Sequence, residues 1–407
     1  MLATRSLRAA VAPAVVTWCF TCLADDALKP AGGEKMSASP TAAGFTAPTV
    51  KPFGVLPDGR PARLYTLEVA GGWKATVTDY GATLTSLVVP PRDGEQGPPV
   101  DVVLGFDSLE GYLKDRPFFG AICGRCANRI ACGTFELDGQ VHTLATNNWP
   151  NHLHGGVVGF DKKLWKGTPR ITPRGPCVAF ELVSPDGDEG YPGRLVAEAA
   201  YTLTPAGELV VEMRATTNAP TIVNMVHHTY WNLAGHASGS IRDHELAVAA
   251  DRYLPVDAGS IPTGTFAPVE GTPFDFRPER RPWGRCGAAI ETLPPDAAPG
   301  TPRGVDHNYV VRDWKPDGGL RIAATLRDPA SGRTLEVLSD QPGVQVYMGN
   351  FLDGTLKGKA GAVYAANGGI CLETQKYPDS IHHADWPSVR LDPGQISTHT
   401  MVHRFIR

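Results

Sequence analysis

Two side chains in this sequence are suited to moving protons in a sheltered site. Glu373 follows the apolar stretch Gly369–Leu372, which is typical of a buried strand. Burial raises the pKa of a carboxyl group and makes its ionised form a stronger base. His228 lies beside the aromatic residues Tyr230 and Trp231, and an imidazole can give or accept a proton near neutral pH. Each also fits a structural role, an ion pair for the carboxylate and a backbone hydrogen bond for the imidazole.

Further polar residues lie in glycine-rich or apolar surroundings of the kind found at ligand sites. Asn128 and Arg129 belong to the segment GRCANRI, and Asp306 belongs to GVDHNY. His154 precedes Gly155 and Gly156, where the absence of a side chain lets the backbone approach a ligand closely. These residues are candidates for holding a small polar molecule.

Metal and cofactor sites are the main alternatives for these residues. His227 adjoins another histidine, and Asp306 and Glu373 could add ligands, but no H-x-x-x-H or similar helical spacing is present. Cys123 and Cys126 have C-x-x-C spacing without a second pair nearby, which favours free buried thiols in or beside strands. The phosphate-binding motifs G-x-x-x-x-G-K-[ST] and G-x-G-x-x-G and the nucleophile elbow G-x-S-x-G are missing. We therefore predict neither a metal nor a nucleotide cofactor from these motifs.

The elements that must hold these residues are predicted to be β-strands. Alternating apolar and polar residues surround turn residues in three pairs of segments: 65–69 with 74–78, 195–203 with 208–214, and 321–328 with 333–338. No stretch of a dozen residues has a convincing helical period with caps. The acidic segment Asp186–Gly190 resembles part of a calcium loop but lacks the later ligands, so we predict a tight turn. The fold class is therefore all-β, a large antiparallel sandwich or barrel, with residues 296–303 in an exposed loop.

Composition is consistent with this fold and excludes some partners. The chain has 407 residues, of which 42% are hydrophobic, so it can bury a large core. The 45 glycines and 36 prolines are spread along the chain, which suits many short strands joined by turns. With 38 Lys and Arg against 42 Asp and Glu, there is no basic excess of the kind that grips nucleic acid. We expect a small or neutral ligand.

The first 24 residues have the pattern of a secretory signal peptide. Arg5 and Arg8 precede the apolar run Ala9–Phe20, which is too short to span a bilayer comfortably. An organelle transit peptide and initiation at Met36 are the alternatives, so a secreted, an organellar and a cytoplasmic location all stay open. Residues 25–45 are predicted to be a linker and residues 46–407 the functional domain.

Seven segments together resemble the aldose 1-epimerase (galactose mutarotase) family. They occur in the family's order from about residue 50 to the C-terminus: GRCANRI, NHLHGGVVGFDKKLW, HHTYWNLAGH, IPTGTF, GVDHNYVV, QPGVQVYMGNFLDGTLKGK and ICLETQKYPDSIHHADWPSVRLDPG. The resemblance implies one domain, a large β-sandwich of antiparallel strands with a sugar cleft and no cofactor. It departs from the family's usual residues at His227 (often Asn), Trp231 (often Phe) and Cys126 (often Val). We expect the larger aromatic side chain of Trp231 to alter the cleft wall or the sugar preference.

The resemblance also implies a role for each candidate residue. Glu373 matches the family's general base and His228 its general acid. The matching substrate contacts are His154 near the reacting centre, Asp306 on the sugar hydroxyls, and Asn128, Arg129 and Gln345. Gln345 is preferred to Gln341 because of its placement relative to Glu373.

The function implied is interconversion of the α and β anomers of a free hexose such as glucose or galactose. A hexose-6-phosphate 1-epimerase, a non-catalytic carbohydrate-binding protein and a glycoside hydrolase using Glu373 and Asp306 are the alternatives. The expected partner is a monosaccharide, with no nucleic acid and no membrane span, and the expected oligomeric state is a monomer or homodimer.

Overall fold

Short stretches of alternating apolar and polar residues form strands along the chain. The computed structural model describes residues 44–92, 94, 96–114, 117–280, 283–292 and 302–406. The predicted leader, residues 25–43 of the predicted linker and residues 296–301 of the predicted exposed loop lie outside this part of the chain. The described residues belong to one compact unit.

The described residues contain thirty strands and two short α-helices. The first fifteen strands are β1 (Thr49–Val55), β2 (Pro61–Val69), β3 (Trp73–Thr78), β4 (Thr83–Val89), β5 (Val100–Asp101), β6 (Ala121–Cys123), β7 (Arg129–Ile130), β8 (Thr134–Leu137), β9 (Gln140–Thr143), β10 (His152–Leu153), β11 (Lys166–Thr172), β12 (Gly175–Ser184), β13 (Leu195–Leu203), β14 (Glu208–Thr217) and β15 (Thr221–Ile222). Helix α1 (Leu109–Lys114) lies between β5 and β6.

The second half of the chain contains the strands that carry most of the candidate residues. They are β16 (Val226–His228), β17 (Tyr230–Trp231), β18 (Glu245–Val248), β19 (Arg252–Tyr253), β20 (Ala267–Pro268), β21 (Gly284–Arg285), β22 (Asp306–Val310), β23 (Arg321–Arg327), β24 (Thr334–Ser339), β25 (Gly343–Tyr347), β26 (Leu356–Lys357), β27 (Val363–Tyr364), β28 (Ile370–Gln375), β29 (Arg390–Leu391) and β30 (Ser397–Ile406). Helix α2 (Cys286–Thr292) follows β21. With α-helices of only six and seven residues, the regular secondary structure of the described residues is mostly β-strand, as predicted.

Three large sheets contain most of the strands. Their orders are β11-β12-β13-β14-β30-β24-β23-β18-β21, β17-β28-β25-β22-β19-β20 and β1-β2-β3-β4-β5, and neighbouring strands in each are antiparallel. The three predicted hairpins correspond to β2 with β3, β13 with β14, and β23 with β24. The all-β, antiparallel fold class is therefore confirmed.

Aromatic contacts show how the sheets pack into layers. Phe405 on β30 of the nine-stranded sheet lies 5.5 Å from Trp73 of the five-stranded sheet and 6.3 Å from Trp231 of the six-stranded sheet, between ring centroids. Tyr65 on β2 meets Phe180 on β12 edge to face at 5.4 Å. Such pairs contribute about 0.5–1.5 kcal/mol each beyond their buried area. Because one residue touches both smaller sheets, these two sheets form the second layer of a sandwich over the nine-stranded sheet.

The acidic segment Asp186–Gly190 is a structured turn, in agreement with the predicted turn. Asp186 Oδ1 accepts a hydrogen bond from the Gly193 N–H at 2.5 Å. Glu189 accepts hydrogen bonds from the N–H groups of Val157 and Val158 at 2.8 and 3.1 Å. These carboxylates serve as hydrogen-bond acceptors for neighbouring loops.

The cysteines of the described residues are free thiols, as predicted, and all but one are buried. All six cysteines of the described residues are free, and five of them are buried: Cys123, Cys126, Cys177, Cys286 and Cys371. Cys132 is exposed, contrary to the prediction of buried thiols. It lies in a tight 3-10 turn at φ 53° between β7 and β8, and this turn carries its side chain to the surface.

Candidate active site

One cavity brings together all seven residues singled out in the sequence. It has a volume of about 360 Å³, which is near the lower end of the usual range of about 300–1,000 Å³ for small-molecule sites. The seven residues among its lining are Asn128, Arg129, His154, His228, Asp306, Gln345 and Glu373. Gln341 is not among the lining residues, and its amide nitrogen bonds instead to Asp340 and to the Thr398 carbonyl.

Glu373 reaches this cavity because strand side chains alternate between two faces. Ile370 and Leu372 on β28 belong to the hydrophobic core. The intervening residues Cys371 and Glu373 therefore lie on the opposite face of the strand. Gln345 on β25 is directly opposite Glu373 in the register and shares this face. The six-stranded sheet, which contains β25 and β28, thus presents an apolar side to the core and a polar side to the cavity.

His228 approaches Glu373 from strand β16, which pairs with β6. Its Nε2 atom lies 3.6 Å from Oε1 of Glu373, and the two side chains are 5% and 3% exposed. The imidazole ring is stacked between Phe118, at 5.7 Å and 28°, and Tyr230, at 5.2 Å and 26°. These stacked rings leave the Nε2 edge of the imidazole directed at Glu373.

Burial shifts the two pKa values of this pair in the directions that favour its uncharged form. Burial raises the pKa of the Glu373 carboxyl well above 4.5, and the negative charge of Asp306 adds to the increase. Burial lowers the pKa of His228 from 6.5 to about 4, although the carbonyl group of His228 itself opposes the shift. Burial therefore favours the state of the pair in which a single proton resides on the carboxyl group and the imidazole is neutral.

His154 has a hydrogen-bond partner that fixes its tautomer. The backbone N–H of Asn128 donates to His154 Nδ1 at 3.2 Å, so the ring proton of the neutral imidazole resides on Nε2. Burial, and then the nearby His228, hold the pKa of His154 well below 6.5. His154 thus offers one neutral N–H donor to a molecule in the cavity.

Gly155 serves a different purpose from the predicted close approach to a ligand. A Cβ atom at Gly155, which has φ 83°, would overlap the carbonyl oxygen of Gly124. The missing side chain therefore lets the His154 turn pack against the loop that carries Asn128. Asn128 and His154 themselves have positive φ values of 55° and 48°, a sparsely populated conformation that aims both residues into the cavity.

Asp306 and Gln345 form a polar pair across β22 and β25. The Gln345 Nε2 atom donates to Asp306 Oδ1 at 2.7 Å. Within the described residues, the buried Gln345 Oε1 and Glu373 Oε2 atoms have no hydrogen-bond partner. Unpaired buried acceptors are costly, so these two oxygens are positions at which hydroxyl groups of a ligand would donate.

Arg129 is the positively charged member of the cavity lining. Its Nε atom donates to Asn148 Oδ1 at 3.0 Å, and Asn148 also lines the cavity. The β7–β10 pair places Arg129 opposite Leu153, next to His154. The short paired segment therefore brings Arg129 and His154 to the same side of the cavity.

Two other groups of polar residues fit a ligand less well. The larger open cleft of about 840 Å³ is lined by charged side chains that already pair with each other, such as Arg312 with Asp251 and with Glu279. The donor atoms of His228, Cys371 and Glu373 lie within 4.8 Å of one another. However, the sulfur adjoins Nδ1 and the carboxylate adjoins Nε2, and one imidazole cannot bind an ion through both nitrogens.

His227 and Trp231 have different roles from those considered in the sequence. His227 lies against Tyr201 and His403 in the core, so it does not join His228 in a metal site. Trp231 packs against His403 at 4.9 Å and is absent from the cavity lining. The expectation that Trp231 shapes the cleft wall is wrong, because alternation along β17 turns Tyr230 to the cavity and Trp231 to the core.

Sequence reasoning missed several lining residues, most of which are apolar or aromatic. Phe118, Tyr347 and Phe351 complete the cavity wall, together with Asn148, Leu153, Leu352 and Leu356. Tyr347 follows Gln345 by two residues on β25, so period-two alternation from Gln345 could have found it. Phe118 has a positive φ of 62° in a loop, and no sequence pattern indicates its contact with both histidines.

Comparisons with known proteins agree with this geometry. A family model described as aldose 1-epimerase matches residues 63–404. The galactose mutarotases of Bos taurus and Homo sapiens are 49% and 48% identical over 332 residues, which cover 82% of this chain and 91% of theirs. The aldose 1-epimerase of Escherichia coli K12 is 38% identical over 352 residues, covering 86% of this chain and 97% of its own.

Solved structures show the same architecture. An aldose epimerase homologue from C. elegans matches with a TM-score of 0.74 and 30% identity, over 84% of this chain and 98% of that one. A galactose 1-epimerase from Lactobacillus acidophilus matches with a TM-score of 0.72 and 29% identity, over 88% and 98%. The antiparallel sandwich and its relatives define the protein as a sugar-acting isomerase. The chain belongs to the aldose 1-epimerase family, and it interconverts the anomers of an aldose.

Proposed function

We propose that this enzyme interconverts the α and β anomers of a free hexose such as galactose or glucose, with Glu373 as general base and His228 as general acid. The observation that carries the proposal is the 3.6 Å approach of His228 Nε2 to Glu373 Oε1 inside a cavity of sugar size. The hydroxyl group that must lose a proton and the ring oxygen that must gain one are bonded to the same anomeric carbon. Two adjacent groups can therefore serve both transfers.

Ring opening moves one proton on to the enzyme and one proton off it. The Glu373 carboxylate accepts the proton of the anomeric hydroxyl, and the protonated His228 donates its Nε2 proton to the ring oxygen. The bond between C1 and the ring oxygen breaks as C1 and its exocyclic oxygen become an aldehyde. Rotation about C1–C2 presents the other face of the aldehyde, and ring closure reverses both transfers. Each positioned acid or base contributes about 10²–10⁴ in rate.

The pair contains the same number of protons before and after ring opening. Ring opening begins with the charged pair, in which Glu373 is a carboxylate and His228 an imidazolium. It ends with the uncharged pair, in which Glu373 is a carboxylic acid and His228 a neutral imidazole. Since burial favours the uncharged pair, charge neutralisation helps to drive ring opening. No proton needs to be exchanged with solvent in a complete cycle.

Other lining residues are suited to holding the sugar. His154 offers its Nε2–H donor, and Gln345 Oε1 is an unpaired acceptor for a hydroxyl group. Asp306 accepts from Gln345 and can accept from a further hydroxyl group. Holding the ring in one orientation shortens both proton transfers, which is a large part of the advantage of a bound reaction.

The charges of the cavity favour a neutral sugar over a sugar phosphate. Arg129 is the permanent cation among its lining residues, whereas Asp306 and Glu373 are both carboxyl groups. A dianionic phosphate group would normally require several Lys or Arg side chains. The proposal therefore names the free hexose as substrate.

Polarimetry with several sugars tests this proposal. Enzyme added to fresh α-galactose or α-glucose should accelerate the change in optical rotation far above the protein-free rate. Methyl α-galactoside is the matched control, because its anomeric oxygen has no proton to give. If both hexoses react only at the protein-free rate, a non-catalytic sugar-binding role remains. A faster reaction with glucose 6-phosphate than with the free hexoses would favour the phosphate substrate. Release of the aryl group from an aryl galactoside would favour a glycosidase.

Location and assembly are separate proposals. We propose that residues 1–24 direct export of the enzyme, on the basis of the Arg5 and Arg8 start and the apolar run after it. N-terminal sequencing of the mature protein tests this, since a start at Met1 or Met36 would contradict it.

We also propose that the enzyme is a monomer or a homodimer, and light scattering tests this oligomeric state. No helix among the described residues has the length and hydropathy needed to cross a membrane.

A further inference from the structure

The imidazole of His228 has a second edge, which faces a thiol group. The Nδ1 atom lies 3.6 Å from Sγ of Cys371, within the distance of a sulfur hydrogen bond. Cys371 precedes Glu373 by two residues on β28, so both side chains project from the same face of one strand. Strand β28 thus contacts both nitrogens of the imidazole: Glu373 lies next to Nε2, and Cys371 lies next to Nδ1.

The proposed reaction places a requirement on the Nδ1 atom. An imidazolium that gives its Nε2 proton to the ring oxygen keeps the proton on Nδ1, so the neutral product is the Nδ1–H tautomer. The group opposite Nδ1 must therefore act as an acceptor in both protonation states of the ring. A carboxylate in this position would stabilise the imidazolium and weaken it as an acid. A thiol sulfur is a weak, uncharged acceptor.

The surroundings keep Cys371 uncharged and in place. Its side chain is fully buried, and burial, followed by the negative charges of Glu373 and Asp306, holds the pKa of its thiol well above 9. The groups that face His228 from the packed elements are Glu373 and Cys371 on β28, Tyr230 on β17, Tyr347 on β25, and Phe118 and His154 from the loops. Among these packed groups, Cys371 lies within hydrogen-bonding distance of Nδ1, and the carbonyl group of His228 itself is the other acceptor near the ring.

We propose that Cys371 is a positioning residue for the general acid, whose sulfur accepts the Nδ1–H of His228 and thereby directs Nε2 at the sugar. This inference rests on the proposed function, in which His228 is the acid. It assigns Cys371 no proton transfer of its own. The thiol selects the tautomer that remains after the acid has given its proton.

The test combines ¹⁵N NMR of the histidine side chains with polarimetry. Because burial lowers the pKa of His228 to about 4, its ring is neutral at pH 7 and its tautomer can be read directly. The chain has 12 histidines, so the His228 signal is assigned from its absence in His228→Asn. The variants are Cys371→Ala, which removes the acceptor, and Cys371→Ser, which restores a smaller one. Cys177→Ala, at a buried thiol on β12 that clusters with Ala179 on the same strand and Ala200 on β13, is the matched control.

The native enzyme is expected to show the Nδ1–H tautomer at His228. Cys371→Ala should shift part of the signal to Nε2–H and lower kcat about tenfold, with KM within about twofold, while Cys371→Ser recovers most of the kcat. A native Nε2–H tautomer would overturn the proposal, as would a folded Cys371→Ala that keeps both the native tautomer and the native kcat. The NMR result does not depend on activity, whereas a native rate in His228→Asn would contradict the proposed function itself. The two failures are therefore distinguishable.

Discussion

His228 Nε2 lies 3.6 Å from Glu373 Oε1, and neither side chain is more than 5% exposed. The two residues belong to different strands, β16 and β28, which bring the imidazole and the carboxyl group together from distant parts of the chain. Burial raises the pKa of the Glu373 carboxyl and lowers the pKa of His228, so it favours the state in which one proton resides on the carboxyl group and the imidazole is neutral. A shared proton is the condition that the proposed shuttle requires.

Replacing the base should abolish most of the activity without unfolding the protein. We expect Glu373→Gln to lower kcat by about 10²–10⁴, because the amide has a similar shape but cannot accept the hydroxyl proton. KM should change little, since the remaining sugar contacts are intact. Polarimetric mutarotation measures both constants. The control is Glu68→Gln, at an exposed residue paired with Lys74 on the surface, and a native kcat in Glu373→Gln would exclude the assigned role.

The acid limb of the pH profile should lie well below the ordinary histidine value. Activity requires one proton on the pair, and a second proton binds only as the pH falls through the His228 pKa of about 4. The raised pKa of Glu373 moves the loss of the single proton to a pH far above 4.5. We therefore expect protonation of His228 to lower kcat/KM by less than about twofold when the pH is reduced from 6.5 to 5.

This profile must be corrected for two effects. The spontaneous mutarotation at each pH is subtracted, because water, acid and base also catalyse it. Circular dichroism at each pH verifies that the protein stays folded. An acid limb with a midpoint near 6.5 in folded enzyme would show that His228 titrates as an exposed imidazole, against the burial seen here.

How far sequence reasoning reached depended on whether the partners are neighbours in the chain. The hairpin of β13 and β14 was predictable because its alternation and its turn are contiguous. The burial of Glu373 was predictable from the apolar residues before it. The pairing of β28 with β17 and β25 was not, because it joins segments far apart in sequence. The choice between His227 and His228 as the cavity histidine came from family resemblance, since either could face inward on an isolated strand.

Some features of the site have no signature in the residue types at all. Phe118 covers one face of His228 from a loop residue with a positive φ, a conformation that sequence patterns rarely indicate for phenylalanine. Cys371 has the composition of an ordinary buried thiol, and only its distance from Nδ1 of His228 gives it a role. Such contacts depend on the side-chain geometry of the assembled sheets.

Removing the charge of Asp306 should affect binding and the alkaline limb together. We expect Asp306→Asn to raise KM about tenfold, because its carboxylate accepts from Gln345 and is placed to accept from a sugar hydroxyl group. The negative charge of Asp306 also contributes to the raised pKa of Glu373, so the alkaline limb of kcat/KM should move to lower pH. Polarimetry from pH 6 to 10 measures both. An altered KM with an unmoved alkaline limb would show that Asp306 does not influence the base.

Acid should destabilise the fold through histidines buried behind the active site. His403 packs between His227 and Trp231, and burial lowers its pKa from 6.5 to about 4. The unfolded chain therefore binds a proton that the folded chain excludes, so the stabilisation is complete above pH 6.5 and is lost as the pH falls towards 4. Between pH 7.5 and 5, this one residue should reduce the free energy of unfolding by about 2 kcal/mol.

Urea denaturation of His403→Leu at these two pH values isolates that contribution. The variant should lose less stability on acidification than the native protein, whatever the cost of its different shape, because that cost is the same at both pH values. His382→Asn is the control of opposite sign, because the hydrogen bond that His382 donates to the Asp379 carboxylate raises the pKa of His382 and stabilises the fold at low pH instead. An equal loss of stability in the native protein and in His403→Leu would mean that His403 is already protonated, or exposed to water, in the folded state.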